Sequence, residues 1–190
     1  MSLEEKVDAV GAVFNKLDAE ISRFQSASGI NCKFGCGKCC FKPDIEATIL
    51  EFLPFAFFLH QQGKASSWYE KLKSTDSSIC LILNPTQAGA GLCSEYPHRG
   101  LICRLFGYSA RHNKYGKKEL ITCSIIKTEQ QEEYDAAERE IAAGAEVPVM
   151  SEFYMQLHSI DPDLARDYYP INMALRKAVE HVMHMVAYRD

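Results

Sequence analysis

The sequence predicts a mainly α-helical fold: a helical, bundle-like single domain around an irregular, cysteine-rich, metal-binding core, with one small β-hairpin. Three observations carry this expectation. Apolar residues recur at helical spacing at both ends of the chain, the cysteines crowd into the irregular stretch between, and strand-like runs flank only one short turn. With 190 residues, 47% of them hydrophobic, the chain is long enough to bury one sizeable core. Two packed helical lobes are the alternative organisation.

Ser2-x-x-Glu5 reads as a capping box for the first helix. Leu3, Val7, Val10, Phe14, Leu17, Ile21 and Phe24 follow alternately four and three apart, which sets them on one stripe. Such a seam suits either a helix packed on its own chain or a homodimer through the N-terminal helix; three heptads favour the first. Ser28-Gly29 ends the helix, and Asn31 to Lys42 forms a cysteine-rich loop. Pro43-Asp44 is expected to restart a helix with Asp44 as N-cap, burying Ile45, Ile49, Phe52, Leu53, Ala56 and Leu59 and breaking near Pro54. Phe55, Phe57 and Phe58 read as core rather than as a ligand box. Gly63 closes this helix, and Ser66 to Leu72 forms a short one.

Ile79 to Leu83 is a short apolar run stopped by Asn84-Pro85, and Gln87 to Gly91 reads as loop. Phe106 to His112 and Lys118 to Ile125 flank a turn at Asn113 to Gly116, which gives the hairpin. Thr128-x-x-Gln131 is expected to cap a helix running to about Gly144. Ser151 begins another, Asp161-Pro162 a third, and from Pro170 onward Leu175, Val179, Val182, Met183 and Val186 form an apolar face.

Charge and composition narrow the function classes. The formal net charge is −4, so no global field draws the chain to nucleic acid or an anionic membrane. The longest apolar stretch, Phe52 to Leu59, is too short to span a bilayer, and the first residues lack a secretory pattern. The expected location is therefore a reducing cytoplasm, where thiols stay free.

The eight cysteines are the specific signal: Cys32, Cys36, Cys39, Cys40, Cys80, Cys93, Cys103 and Cys123. The first four form Cys32-x3-Cys36-x2-Cys39-Cys40, and the others all lie in the irregular middle third. Structural core cysteines would scatter over helix faces. A disulfide between Cys39 and Cys40 would close a strained ring. Clustered thiolates converge naturally on a soft divalent ion or an iron–sulfur cluster, and Gly35 and Gly37 let the backbone around Cys36 turn its amides toward sulfur. All eight are candidate ligands for zinc or iron. Adjacent Cys39 and Cys40 more easily serve two metals than one. Lys33, Lys38, Lys42, Arg99 and Arg104 are candidate counter-ions for the excess thiolate charge, and His98 and His112 are expected to be exposed rather than ligating.

Cys32, Cys36 and Cys39 also fit the cluster spacing of radical S-adenosylmethionine enzymes, but repeated strand–helix units are lacking and Lys38 replaces the usual aromatic. A closer resemblance lies elsewhere. Cys36-Gly37-Lys38-Cys39-Cys40, then Cys80-Leu81-Ile82-Leu83, then Cys93-x2-Tyr96-x2-Arg99-x3-Cys103-Arg104-x-Phe106 is similar to the YkgJ-like cysteine-cluster proteins, named for CxxCxxCC. It extends over about Cys32 to Cys123. This chain departs from the family in having Gly100 where Pro is expected and three residues, not two, between Cys32 and Cys36.

The resemblance implies a zinc- or iron-chelating domain; the structural or metal-handling role is expected from the irregular middle third, which buries too little apolar surface by itself. It also implies Glu46, at a position where the family often has an acid, as the partner of Arg99 or Arg104, with Tyr96 and Arg99 supporting the site. The flagellin lysine N-methylase contains a similar cysteine cluster, so the alternative is an iron–sulfur enzyme, redox, radical or methyltransferase-like. The chain shows no Gly-rich turn after a strand to hold S-adenosylmethionine. A metal ion is the one partner these residues specify.

Overall fold

The structure is a computed structural model that describes residues 1–87 and 90–188. Ser2 and Glu5 form the expected reciprocal cap: the Glu5 carboxylate accepts the Ser2 N–H at 2.8 Å, and Ser2 Oγ accepts the Glu5 N–H at 3.1 Å. Helix α1 then runs over Leu3–Ser28 and stops at Gly29, whose φ of 73° an L-residue adopts only with strain. Its apolar stripe is buried within the chain at Leu3, Val10, Phe14, Leu17, Ile21 and Phe24, with Val7 half-buried.

The chain forms two compact units. The first comprises Met1–Ala12, Gly35–Gly100 and Leu157–Asp190, the second Val13–Phe34 and Leu101–Gln156. Helices dominate both, and the described residues add three two-stranded sheets, so the fold is mainly α. No helix among the described residues is long and apolar enough to cross a membrane.

In the first unit the segment after the cysteine loop departs from expectation. Glu46–Ala47 (β1) pairs antiparallel with Tyr169–Pro170 (β6), and the helix begins only at Leu53–Gln61 (α2), after a 3-10 turn at Leu50–Phe52. Asp44 is exposed and caps nothing. The start is set by Thr48-x-x-Glu51 instead, where the buried Glu51 carboxylate accepts both the Thr48 N–H and its hydroxyl, at 2.8 and 3.2 Å. Pro54 then falls in the first helical turn, where a missing N–H costs nothing, so it starts the helix rather than breaking it.

Ala65–Lys73 (α3) follows, and α2 and α3 both pack on Ile171–Ala187 (α9) through Leu53, Ala56, Leu59, Leu72, Leu175, Val179 and Val182. The aromatic run serves the core, with Phe55 buried against Trp68, ring centroids 5.4 Å apart. His98 is not exposed as expected; it is half-buried and stacks on Phe58 at 4.3 Å.

Asn84-Pro85 does not stop the chain's extended course but lies within a strand that begins at Leu83. Leu83–Gln87 (β2) pairs with Ala90–Cys93 (β3), in the register Leu83 to Cys93 and Pro85 to Gly91. Proline survives there because a two-stranded sheet leaves every residue at an edge. Gln87, Ala90 and Gly91 of the expected loop are strand residues, and Ala88 and Gly89 lie outside the described residues.

The second unit holds the expected hairpin, shortened to Ser109–His112 (β4) and Lys118–Ile121 (β5). It also holds Leu101–Leu105 (α4), Ser124–Glu129 (α5), Gln131–Ala142 (α6) and Met150–Ile160 (α7), the last continuing into the first unit. Thr128 lies inside α5 with its hydroxyl on the Ser124 carbonyl, so it does not cap α6 as expected. Phe24, Ile30, Ala110, Leu120, Ile126, Ala137, Ile141 and Val147 make this unit's core. In the first unit, Pro162–Ala165 (α8) starts as anticipated, with Asp161 accepting the amides of Asp163 and Leu164.

Asn172, in the first turn of α9, clamps the strand-free segment before β2. Its amide donates to the Ser77 and Ile79 carbonyls, both at 2.8 Å, and its oxygen accepts the Leu81 N–H at 2.9 Å. This fixes Cys80 from both sides. Asn172→Leu strands three backbone groups. At roughly 1 kcal/mol or more each, it should cost about 2–4 kcal/mol in urea unfolding. A loss under about 0.5 kcal/mol would show that the clamp does not hold this segment.

Candidate metal centre

Five of the eight cysteines fall in the first unit. Cys36, Cys39 and Cys40 sit on the loop after α1, the last two within a 3-10 turn over Lys38–Phe41. Cys80 precedes β2 and Cys93 ends β3, so the hairpin carries both toward one end. The loop docks on this hairpin backbone to backbone. Gly91 donates its N–H to the Gly35 carbonyl at 3.1 Å. A Cβ at Gly37, where φ is +56°, would stand 2.6 Å from the Gly91 carbonyl oxygen. Only glycine fits, both for its dihedral and for the space.

The thiols sense one another. Cys39 and Cys40 sulfurs are 4.0 Å apart. Two thiolates on one tetrahedral ion with bonds of about 2.3 Å stand about 3.8 Å apart, so this separation is compatible with a single ion as well as with the two metals expected from the sequence. The Cys39 thiol is lowered to about 6, first by the Cys40 thiol that donates to it, against partial burial and with help from the Cys39 and Cys40 amides and the Arg99 charge. Burial pushes the Cys80 thiol up to about 11, opposed by the Ile82 and Leu83 amides and raised further by the charges of Cys93 and Cys39. Cys93 is also raised, chiefly by burial, while the Glu95 amide and Arg99 act to lower it. Amides two and three residues past a cysteine are what a thiolate ligand uses to spread its charge.

Arg99 is the cation whose field favours the thiolates of both Cys39 and Cys93, and it lies over the Tyr96 ring at 3.6 Å. The other cations named from sequence are placed differently. Lys33 lies 3.7 Å from Glu129 at the surface, Lys38 and Lys42 are exposed, and Arg104 pairs with Asp18. Arg104 also lies over the Phe14 ring at 4.6 Å. Glu46 is exposed in β1. The buried acid of this stretch is Glu51, which sits against Gly100: a Cβ there would meet Phe52 at 3.0 Å and the Glu51 carboxylate at 3.2 Å. Gly100 thus accommodates a packing that leaves no room for a side chain.

Cys32, Cys103 and Cys123 belong to the second unit. Cys32 is exposed, and its N–H donates to the Tyr108 hydroxyl at 2.6 Å. Cys103 is half-buried on α4, and Cys123 packs against the unit's apolar core beside Tyr108 and Tyr134. His112 is exposed. None of the eight cysteines forms a disulfide. Among the described residues no three His, Cys, Asp or Glu side chains converge as a ready metal site. The donor types still fit a thiophilic ion: a pair of neighbouring sulfurs, amide donors to sulfur and a guanidinium whose charge favours the thiolates.

Sequence reasoning missed the hairpin and the Gly37–Gly91 contact. The only sequence signal was Leu83 and Leu92-Cys93 flanking a Gly-containing stretch, and Asn84-Pro85 inside the first strand masked it.

The family model described as "CxxCxxCC: Putative zinc- or iron-chelating domain" matches residues 31–140, more than half of the chain. No curated protein and no solved structure gives a significant match.

The thiol asymmetry makes a reactivity prediction. In metal-free protein, alkylation of Cys39 should reach half its maximal rate near pH 6, whereas Cys80 should resist until strongly alkaline pH. Peptide mapping after timed iodoacetamide treatment reads this, and faster labelling of Cys80 than of Cys39 at pH 7 would contradict it. The linkage has opposite signs at the two sites. Cys39, depressed from 9.0, adds stability above its unfolded value that is lost as pH falls through about 6. Cys80, raised from 9.0, adds stability below its unfolded value that is lost as pH rises through about 11.

Proposed function

Because the chain belongs to the CxxCxxCC family, whose domain is described as zinc- or iron-chelating, we propose that thiolates of its first unit hold zinc or iron as a structural staple. Cys39, Cys40, Cys80 and Cys93 are the ligands, with Cys36 as the further thiol on the same loop. The observation that carries this reading is energetic: the 3-10 turn that bears Cys39 and Cys40 buries none of its residues. Apolar burial therefore contributes little to ordering the loop, and a metal would supply what the core does not.

The residues divide the work. Gly37 and Gly91 bring the loop backbone onto the hairpin, and Asn172 fixes the segment before β2 that holds Cys80. The Ile82, Leu83 and Glu95 amides support the Cys80 and Cys93 sulfurs, and Arg99 offsets part of the charge that four thiolates leave on a divalent ion. When bound, the ion supplies bonds that tie the loop to the hairpin. Since Cys80 and Cys93 must lose protons to bind, affinity rises with pH. This reading places the protein in a reducing compartment, as free thiolates require.

Elemental analysis of protein purified without oxygen tests the proposal, read together with serine variants. Stoichiometric zinc or iron should be present, and Cys39→Ser and Cys80→Ser should each lose most of it. Cys123→Ser, on the apolar core of the second unit, should keep it. Chelation should lower the melting temperature by at least about 5 °C, the scale of a kilocalorie or two for a chain of this size. Absence of both metals, or full metal content in both Cys39→Ser and Cys80→Ser, would overturn the assignment. Iron with acid-labile sulfide would turn the same thiols into an iron–sulfur site and open the enzymatic alternative.

A further inference from the structure

The cysteines of the first unit are held with unequal firmness. Cys80 is buried, and the Asn172 amide fixes the backbone on either side of it, at the Ile79 carbonyl and the Leu81 N–H. Cys93 ends β3, in register with Leu83 of β2. Cys39 is exposed and Cys40 half-buried, and the 3-10 turn that carries them buries none of its residues. That turn can change shape without opening the core, whereas Cys80 moves only if the bonds around it break.

The loosely held pair already stands together, with its sulfurs 4.0 Å apart. A disulfide needs about 2.05 Å, so oxidation asks the turn to bring the two sulfurs about 2 Å closer. Adjacent cysteines joined in this way close a strained ring, and strained or exposed disulfides are the readily reduced ones. The bond is therefore within reach of a small movement and is reversible once made.

We propose that Cys39 and Cys40 form a peroxide-sensitive release for the metal of the first unit, withdrawing two ligands at once by forming a disulfide with each other. The inference rests on the ligand assignment made above and adds its regulation. The Cys39 thiolate attacks hydrogen peroxide, the O–O bond breaks, hydroxide leaves and Cys39 becomes a sulfenic acid. The Cys40 thiol then attacks the Cys39 sulfur, the S–O bond breaks, and the Cys40 proton leaves with that oxygen as water. The two sulfurs lose two electrons and the peroxide gains them. Cys80 and Cys93 stay reduced, and two sulfurs do not close a tetrahedral site. A dithiol reductant cleaves the new bond and returns both ligands.

The test treats the full chain as purified with one equivalent of hydrogen peroxide, blocks the remaining thiols with iodoacetamide, and reads peptide masses beside bound metal. The Cys39–Cys40 peptide should appear unalkylated and lighter by two hydrogens, with Cys80 and Cys93 alkylated. Most of the metal should be lost in step with it, and binding should return after dithiothreitol and fresh metal. In Cys40→Ser no such bond should form, and dimedone should trap the sulfenic acid on Cys39. A disulfide that uses Cys80 or Cys93 instead, or metal that stays bound while Cys39 and Cys40 remain unlinked, would overturn the release and leave the ligand assignment standing. Full metal retained after the Cys39–Cys40 bond has formed would overturn both, because these cysteines would then not be ligands.

Discussion

Gly91 donates its amide to the Gly35 carbonyl at 3.1 Å, and a methyl group at Gly37 would stand 2.6 Å from the Gly91 oxygen. The cysteine loop therefore meets the β2–β3 hairpin with no side chain between them. Everything proposed for the first unit depends on this approach. It brings the turn carrying Cys39 near enough to Cys80 and Cys93 for the Cys39 charge to raise both thiols. A side chain at either glycine would force the two backbones apart, and the loop buries nothing of its own to pull them back.

The gathered thiols are not equivalent, and the asymmetry follows from where the chain puts them. Cys39 stands at the surface with a thiol neighbour and backbone donors, so it ionises easily; Cys80 is buried and resists. A metal arriving at such a site would meet a thiolate at the surface first and recruit the buried thiols by displacing their protons. Arg99, stacked on Tyr96, keeps a fixed positive charge beside that process. The bonds from Asn172 to the segment holding Cys80 tie this chemistry to α9 and to the helical core of the same unit.

Much of the fold was legible because its signals are local. The Ser2–Glu5 cap, the stripe from Leu3 to Phe24, the Gly29 stop, the Asp161 cap and the face of α9 each depend on residues within a turn or two of one another. The errors came where a competing local cap or a distant pairing partner decides. Asp44 looked like a cap, but Thr48 and Glu51 with Pro54 set the helix start, and pairing with Tyr169–Pro170 draws Glu46–Ala47 into a strand. Pro85 looked like a strand breaker, yet an edge strand accepts it. The candidate ligands were visible as a set from their spacing, and the family match supports the metal class. Their division between units was not visible, because nothing in the spacing of Cys32, Cys103 and Cys123 separates them from the other five.

X-ray absorption at the metal edge of protein purified without oxygen tests the central claim most directly, since it reads the atoms bound to the ion. An all-thiolate site predicts a first shell of sulfur, at about 2.3 Å if the metal is zinc. A first shell of nitrogen and oxygen at about 2.0–2.2 Å would contradict it and move the metal away from the cysteines.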